Sequence, residues 1–353
     1  MAKPPLPAPE LDALRRNVQH NCNISDARHA GDYTLCVYLL KMREYFRWEQ
    51  DLRFSDSLDN AAVGNWLRER EALWDALEDR PFEPITIGEH RLEPFDSATA
   101  NELLASENLV YSAGLGVRAK PHFFLAELRQ HADYAGHRVL VAGQEYARDL
   151  TAPPGMTLDN TIYIRRESLR RMLWEKVEEW RWNRRANAMG RVIEGYDLDA
   201  DLDLGLERMT ERQTETILLH ELGELMAGER LGEAWHELLI TLPRSKAEFI
   251  VRAVRDNLAD CLSTLPALLE QQDPNGLHFY FANYSGMQKE LFPRLSAAYQ
   301  HWVDGGALSL ISQAVDAGQR HWEQSAHALL ELYRRHGELC RTHVEALDDE
   351  IRL

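Results

Sequence analysis

Between residues 108 and 164 the chain changes texture, and this change constrains its fold more than any other feature. Leu109-Val110-Tyr111, the stretch from Val117 through Leu128, Arg138-Val139-Leu140-Val141-Ala142 and Thr161-Ile162-Tyr163-Ile164 are short runs rich in β-formers. Gly114, Gly116, Gly136, Gly143 and Pro153-Pro154-Gly155 punctuate them. β-Branched and aromatic side chains suit a pleated surface, whereas glycine and proline interrupt it. The pattern predicts a small sheet of three or four strands, embedded between two stretches of helical period.

Upstream, after the proline-rich start Met1-Ala2-Lys3-Pro4-Pro5-Leu6-Pro7, Glu10 to His20 reads as a short helix. A break is expected at Asn21-Cys22-Asn23, with a new helix start at Ser25-Asp26. Tyr33 through Trp48 carries an apolar and aromatic stripe at helical spacing. Leu58 to Leu77 reads as another helix, and Ile85-Thr86-Ile87 as a short strand. Downstream, helices are expected over Ser168 to Ala188, Thr210 to Leu231 and Lys246 to Leu269, with more beyond Pro274-Asn275-Gly276. The fold class is therefore α+β and mostly helical. Three regions follow: a helical 1–107, an α+β segment 108–270, and a helical 271–353.

Hydrophobic residues make up 44% and charged residues 27%, the balance of a globular protein. Forty basic against 57 acidic residues give a net charge of −17, which excludes a general nucleic-acid binder because phosphate binding needs a positive surface. Arg165, Arg166, Arg170 and Arg171, followed by Arg181, Arg184 and Arg185, interleave with Glu175, Glu178 and Glu179. They read as a solvated helix face. No run approaches the ~18 apolar residues of a membrane span. The start has no secretory apolar segment. The four cysteines are scattered without a CxxC pair, so neither a disulfide scaffold nor a cysteine zinc cluster is expected. A soluble, cytoplasmic protein is the expectation.

Thr216-Ile217-Leu218-Leu219-His220-Glu221-Leu222-Gly223-Glu224 is the segment that carries chemistry. On a helix His220 and Glu224 project from one face, one turn apart, and Glu221 sits about 100° round. Two groups so placed can hold a cation while the third carboxylate accepts a proton from water. Leu218, Leu219, Leu222 and Leu225 surround the helix with apolar residues, so His220 and Glu224 are expected to be partly buried. Buried carboxylates are costly unless paired or bound to a cation.

The segment resembles the active helix of the zincin metallopeptidases, specifically their gluzincin branch, with HExxE in place of HExxH. In that branch a later helix bearing E-x-x-x-D supplies a third ligand and an acid that buttresses the first histidine. Arg255-Asp256-Asn257-Leu258-Ala259-Asp260 has two acids at that spacing. The resemblance, covering roughly Val117 to Asp260, implies His220, Glu224 and Asp256 as ligands, Glu221 as general base and Asp260 behind His220. It also implies a zincin-like sheet packed against the active helix, with Thr161 to Ile164 as the edge strand along which substrate lies. One imidazole and two carboxylates would suit Zn²⁺, or Mn²⁺ or Fe²⁺. The implied activity is metal-dependent hydrolysis of an amide or peptide, or another small-molecule substrate.

Two alternatives remain open. Loss of one ligand histidine is what a non-catalytic helical interaction protein on a degenerate zincin scaffold would show, with a protein as partner. Glu44 or Glu49 could join His220 and Glu224 in a dimetal carboxylate site with redox chemistry, although the repeated Glu-x-x-His of such sites is missing. Residues 21–36 are similar to a stretch of an uncharacterised bacterial protein family. There Asp26, His29 and Asp32 could hold a second metal or contact substrate, or simply decorate a capped helix start. Leu277 to Tyr284, strongly aromatic, is expected in the core.

Overall fold

The computed structural model describes residues 7–116, 120–134 and 136–353. The leader residues 1–6 and Val117, the first residue of the second expected strand, lie outside them. The chain is α+β and mostly helical, as its periodicities imply. It divides into two compact units, one of residues 1–176 with 197–211, the other of residues 177–196 with 212–353.

In order, the first unit contains α1 (Ala8–His29), α2 (Leu35–Glu49), α3 (Asn60–Asp75), β1 (Ile85–Ile87), β2 (His90–Leu92) and α4 (Ser97–Leu104). The strands β3 (Leu109–Leu115), β4 (Pro121–Tyr134), β5 (His137–Arg148), β6 (Gly155–Leu158) and β7 (Thr161–Arg165) follow. They form a five-stranded sheet of order β3-β4-β5-β7-β6, and β1 pairs with β2 separately. The sheet is antiparallel except that β5 and β7 run parallel. β7 therefore lies inside the sheet, paired on both sides, and is not the edge strand expected of residues 161–164.

Both faces of the sheet are buried, and the two-residue period of a strand sorts the side chains between them. Tyr111, Phe123 and Leu125 face Leu14, Val18 and Cys22 of α1. Val110, Phe124 and Ala126 pack with Leu140 and Tyr163 on the opposite side. A one-residue slip in register would exchange the two sets, so burial on both faces fixes the pairing.

The expected break at residues 21–23 is absent, and α1 continues through it. Asn, Ser and Asp interrupt helices by bonding their own backbone. Here tertiary partners take those groups instead. Asn21 exchanges hydrogen bonds with the backbone of Glu83, and Asn23 accepts from Arg70 and Trp74. Ser25 donates to the carbonyl of Pro121, and Asp26 accepts from the Leu150 amide.

The arginines at the end of β7 and just beyond it also depart from expectation. Arg165, Arg166 and Arg171 are buried rather than solvated. Arg165 bonds Glu145 at 2.9 Å and lies 4.4 Å from the ring centre of Phe124, while Ser168 donates to the same carboxylate.

Helix α5 (Arg166–Asn183) contributes to both units, as does α7 (Leu202–Leu231), with α6 (Ala188–Glu194) between them. The second unit is helical throughout, comprising α8 (Glu233–Thr241), α9 (Lys246–Ala259), α10 (Leu265–Gln271), α11 (Pro274–Asn283), α12 (Gly286–Leu291), α13 (Pro293–Val303), α14 (Ser309–His336), α15 (Arg341–Ala346) and α16 (Asp348–Ile351). Ser245 caps α9 by accepting from the Glu248 amide, the start signal that Ser-x-x-Glu encodes. The long α14 buries Ile311, Ala314, Val315, Gly318, Trp322, Ala326 and Leu329, a stripe at helical period. Its Gly318 is needed by packing: a Cβ there would meet Phe292 Cζ at 2.8 Å.

Candidate functional site

The amphipathic period of α7 turns Leu219, Leu222, Ala227 and Leu231 into the interior. His220 and Glu224 consequently fall on one flank of that stripe, one turn apart. Gly223 lies between them and lets α7 approach α9 closely. A Cβ at this position would come 2.5 Å from the carbonyl oxygen of Ala259 and 3.0 Å from its carbon. Both obstacles are backbone, so the approach requires glycine. Ser263 reinforces it by donating to the carbonyl of Leu219 at 2.7 Å.

Beyond α9 the chain makes one π-helical turn, Asp260–Thr264. The wider turn rotates the following side chains relative to a regular helix, and such turns recur at functional sites. Here it begins at Asp260, which is buried and whose Oδ1 lies 3.2 Å from Nδ1 of His220. The same carboxylate accepts from Tyr280 at 2.9 Å, Gln288 at 2.6 Å and Thr264 at 3.2 Å. Four side chains from α7, α11, α12 and the π turn thus converge on one acid. The aromatic stretch 277–284 is largely core, and through Tyr280 it also braces this acid.

The opposite nitrogen of the imidazole, Nε2, faces Oε1 of Glu224 at 3.5 Å. The His220 side chain remains 38% exposed, so solvent reaches this side while Asp260 stays enclosed. Burial opposes charge on the ring, but the bonds to Asp260 and Glu224 outweigh it and raise the imidazole pKa well above its ordinary value. Burial likewise opposes charge on Glu224. The bond from His220 and the charge of Arg255 prevail there and hold its pKa down to about 2.

Arg255 completes the cluster. Its guanidinium lies 3.2 Å from Glu224 and 3.0 Å from Asp256. Asp256 is nevertheless pushed up to about 6, by burial first and by the Glu224 charge, against the pull of Arg255. Glu221 is buried beside His220 in sequence, and its charge acts on Arg255.

The cluster therefore brings His220 together with Asp260 and Glu224, and joins Asp256 to Glu224 through Arg255. Among the described residues, no group of three or more His, Cys, Asp or Glu side chains is arranged to hold a metal ion. The donor set is nonetheless chemically suited to a divalent cation. It offers an imidazole whose Nδ1 is fixed by a buried carboxylate, and two carboxylates that now share Arg255 as their partner. The residues that sequence reading missed are Tyr280, Gln288 and Thr264. None carries a local signal, because each acts through Asp260 from a different element.

The other candidates lie in the first unit. Glu44 pairs with Arg47, and Glu49 with Arg70. His29 faces Asp32 at 3.5 Å, while Asp26 is buried against the Leu150 amide. No helix among the described residues is long and apolar enough to cross a membrane.

Two family profiles account for most of the chain. The N-terminal domain of DUF6866, a family of unknown function, matches residues 13–165, and its C-terminal domain matches residues 170–351. No curated protein and no solved structure matches the chain.

Proposed function

The chain belongs to the DUF6866 family, whose function is unknown, and we propose that its α7–α9 cluster is the active site of a metal-dependent hydrolase. The observation that carries this reading is the convergence of four side chains on Asp260, which spends a buried carboxylate on orienting one imidazole. A buried acid is costly to maintain, and structural needs are met more simply by apolar packing. Such a brace is the usual support for an imidazole that must present its other nitrogen to a ligand.

The roles follow from the positions. Asp260 accepts a hydrogen bond from the Nδ1–H of His220, which fixes the ring and leaves Nε2 as the working atom. His220, Glu224 and Asp256 are the residues that would hold a divalent cation, Zn²⁺ or else Mn²⁺ or Fe²⁺. When bound, that cation supplies Lewis acidity to water and to a carbonyl. Glu221 accepts the proton from the attacking water. An amide or peptide substrate rests on the zincin resemblance alone.

Elemental analysis of the purified protein, with His220→Ala and Glu221→Gln alongside, tests the reading. Metal is expected in the native protein and in Glu221→Gln, and not in His220→Ala. Full occupancy in His220→Ala would overturn the assignment.

One observation favours a second reading. Arg255 already pairs with both Glu224 and Asp256, so each of these acids has a cationic partner without an ion. A non-catalytic interaction protein would keep such a cluster for structure. That reading predicts metal-free protein whose melting temperature is indifferent to chelator.

A further inference from the structure

We propose that the first unit holds a separate binding site for a small oxyanion, a phosphate or carboxylate group, in a cleft walled by Arg166, Arg170 and Arg171. The cleft has a volume of about 500 Å³ and opens between α5, the segment after α2, the middle of β4 and β5, and the start of α7. That size suits a small molecule.

The cationic wall is the first argument. Arg166 and Arg170 are four apart on α5 and so share a face, and Arg171 adjoins them. Their side chains are 10%, 28% and 6% exposed, a low value for three adjacent guanidiniums. Arg171 donates to the carbonyl of Glu44 and to Glu167, and Arg170 to the carbonyl of Asp203. Even so, the Nε–H groups of Arg170 and Arg171 are buried without a hydrogen-bond acceptor. A buried donor left unmade is costly, so these two guanidiniums hold hydrogen-bonding capacity that the chain itself does not use. Burial, and secondly the Arg148 charge, lowers the Arg171 pKa to about 10.

The second argument is what already lies on the wall. The Glu207 carboxylate bridges Arg166 at 2.9 Å and Arg170 at 3.6 Å, and Glu211 reaches Arg166 at 2.6 Å. These acids are 45% and 72% exposed, so their bonds are made at the solvent edge and contribute little to stability. Glu207 thus shows that one carboxylate fits between two guanidiniums, and it does so from a position that a ligand can take over.

The third argument is the floor. The ladder between β4 and β5 slips register between Ala126 and Leu128 and again between Leu128 and Gln130. Bulges of this kind re-aim side chains beside binding sites. Gly143 lies in the irregular stretch and lines the cleft, and a Cβ on it would come within 2.7 Å of Arg129 Cγ. One further wall is aromatic: Phe54 lies 5.4 Å below the Arg170 guanidinium. Asp51, Glu127 and Asp203 also line the cleft, which disfavours a long polyanion and restricts the ligand to a small one.

Titration calorimetry on the full chain at low salt, with inorganic pyrophosphate and citrate as separate probes, tests the site and distinguishes phosphate from carboxylate. Saturable binding of at least one probe is expected. Arg170→Gln, at the most exposed of the three, should weaken it about tenfold. Glu207→Gln should strengthen it several-fold by removing the internal competitor. Melting curves would establish that both variants are folded. Absence of binding by the native protein to either probe, or binding that Arg170→Gln leaves unchanged, would overturn the proposal.

Discussion

The Nδ1 atom of His220 lies 3.2 Å from Oδ1 of Asp260, across the gap between α7 and the π turn that follows α9. Because Asp260 also accepts from Tyr280, Gln288 and Thr264, its position is over-determined, and so is the direction of the imidazole. Replacing it by asparagine keeps the shape and removes the charge. Asp260→Asn is expected to lower the His220 pKa and to cost about 1–3 kcal/mol of stability, the penalty for disturbing a buried hydrogen-bonded group. Imidazole NMR titration and urea unfolding measure the two effects. The folded His220 pKa stands above its unfolded value, so its contribution to stability is full below about 6.5 and is lost as pH rises through the folded value. An unchanged pKa in the variant would contradict the bracing role.

Arg255 competes with any cation for Glu224 and Asp256. Arg255→Gln should therefore raise Zn²⁺ affinity by about tenfold, since one charge-assisted contact to each acid is removed. Binding should also release protons and tighten with pH, because a ligating imidazole must give up its Nε2 proton. Chelator competition at two pH values reads both. Zinc affinity indifferent to Arg255→Gln would count against the metal reading.

Gly223 sets the spacing of α7 and α9. Gly223→Ala forces a methyl against the Ala259 backbone, and overpacking of this kind costs about 1–3 kcal/mol. The same displacement should lengthen the His220–Asp260 bond and move the His220 titration. Ser263→Ala, which removes a bond but adds no bulk, should leave that titration in place.

In the first unit Asp26 is buried, and burial followed by the neighbouring Asp149 charge raises its pKa to about 8. The folded state thus retains a proton that the unfolded chain releases near pH 4, so stability falls as pH rises from about 4 toward 8. Asp26→Asn imitates the protonated acid and should flatten that slope. Urea midpoints at pH 5 and pH 8 give the comparison, and a slope equal to that of the native protein would refute it.

Arg165 and Glu145 form an ion pair that solvent does not reach. Arg165→Met leaves the buried carboxylate with only the Ser168 hydroxyl and the more distant Arg148, at 3.9 Å, as partners, at a cost of about 3–5 kcal/mol. Adding Glu145→Gln should recover part of that loss, because the stranded charge is gone. A double variant no more stable than the single one would mean that packing around Phe124, rather than charge, sets the cost.

Much of the fold was legible because it rests on local periodicity. The strands at 109–111, 138–142 and 161–164 and the helices over 210–231 and 246–259 follow from residue spacing that needs no distant partner. Where local signals and tertiary contacts disagreed, the contacts prevailed. Asn21, Asn23 and Ser25 remain helical because other elements satisfy their side chains. Arg165, Arg166 and Arg171 have the charge pattern of a surface, yet strands and acids enclose them.

The sequence by itself determined that His220 and Glu224 share a helix face, and that Asp256 and Asp260 share another, since 3.6 residues per turn leaves no choice. It could not determine how one helix is rotated against the other. The close approach of α7 and α9 at the bare Gly223 decided that only in the folded molecule, where Asp260 meets the imidazole and Asp256 pairs with Arg255. Spacing along a helix is a property of the backbone, whereas rotation between helices is set by which side chains can pass one another in contact.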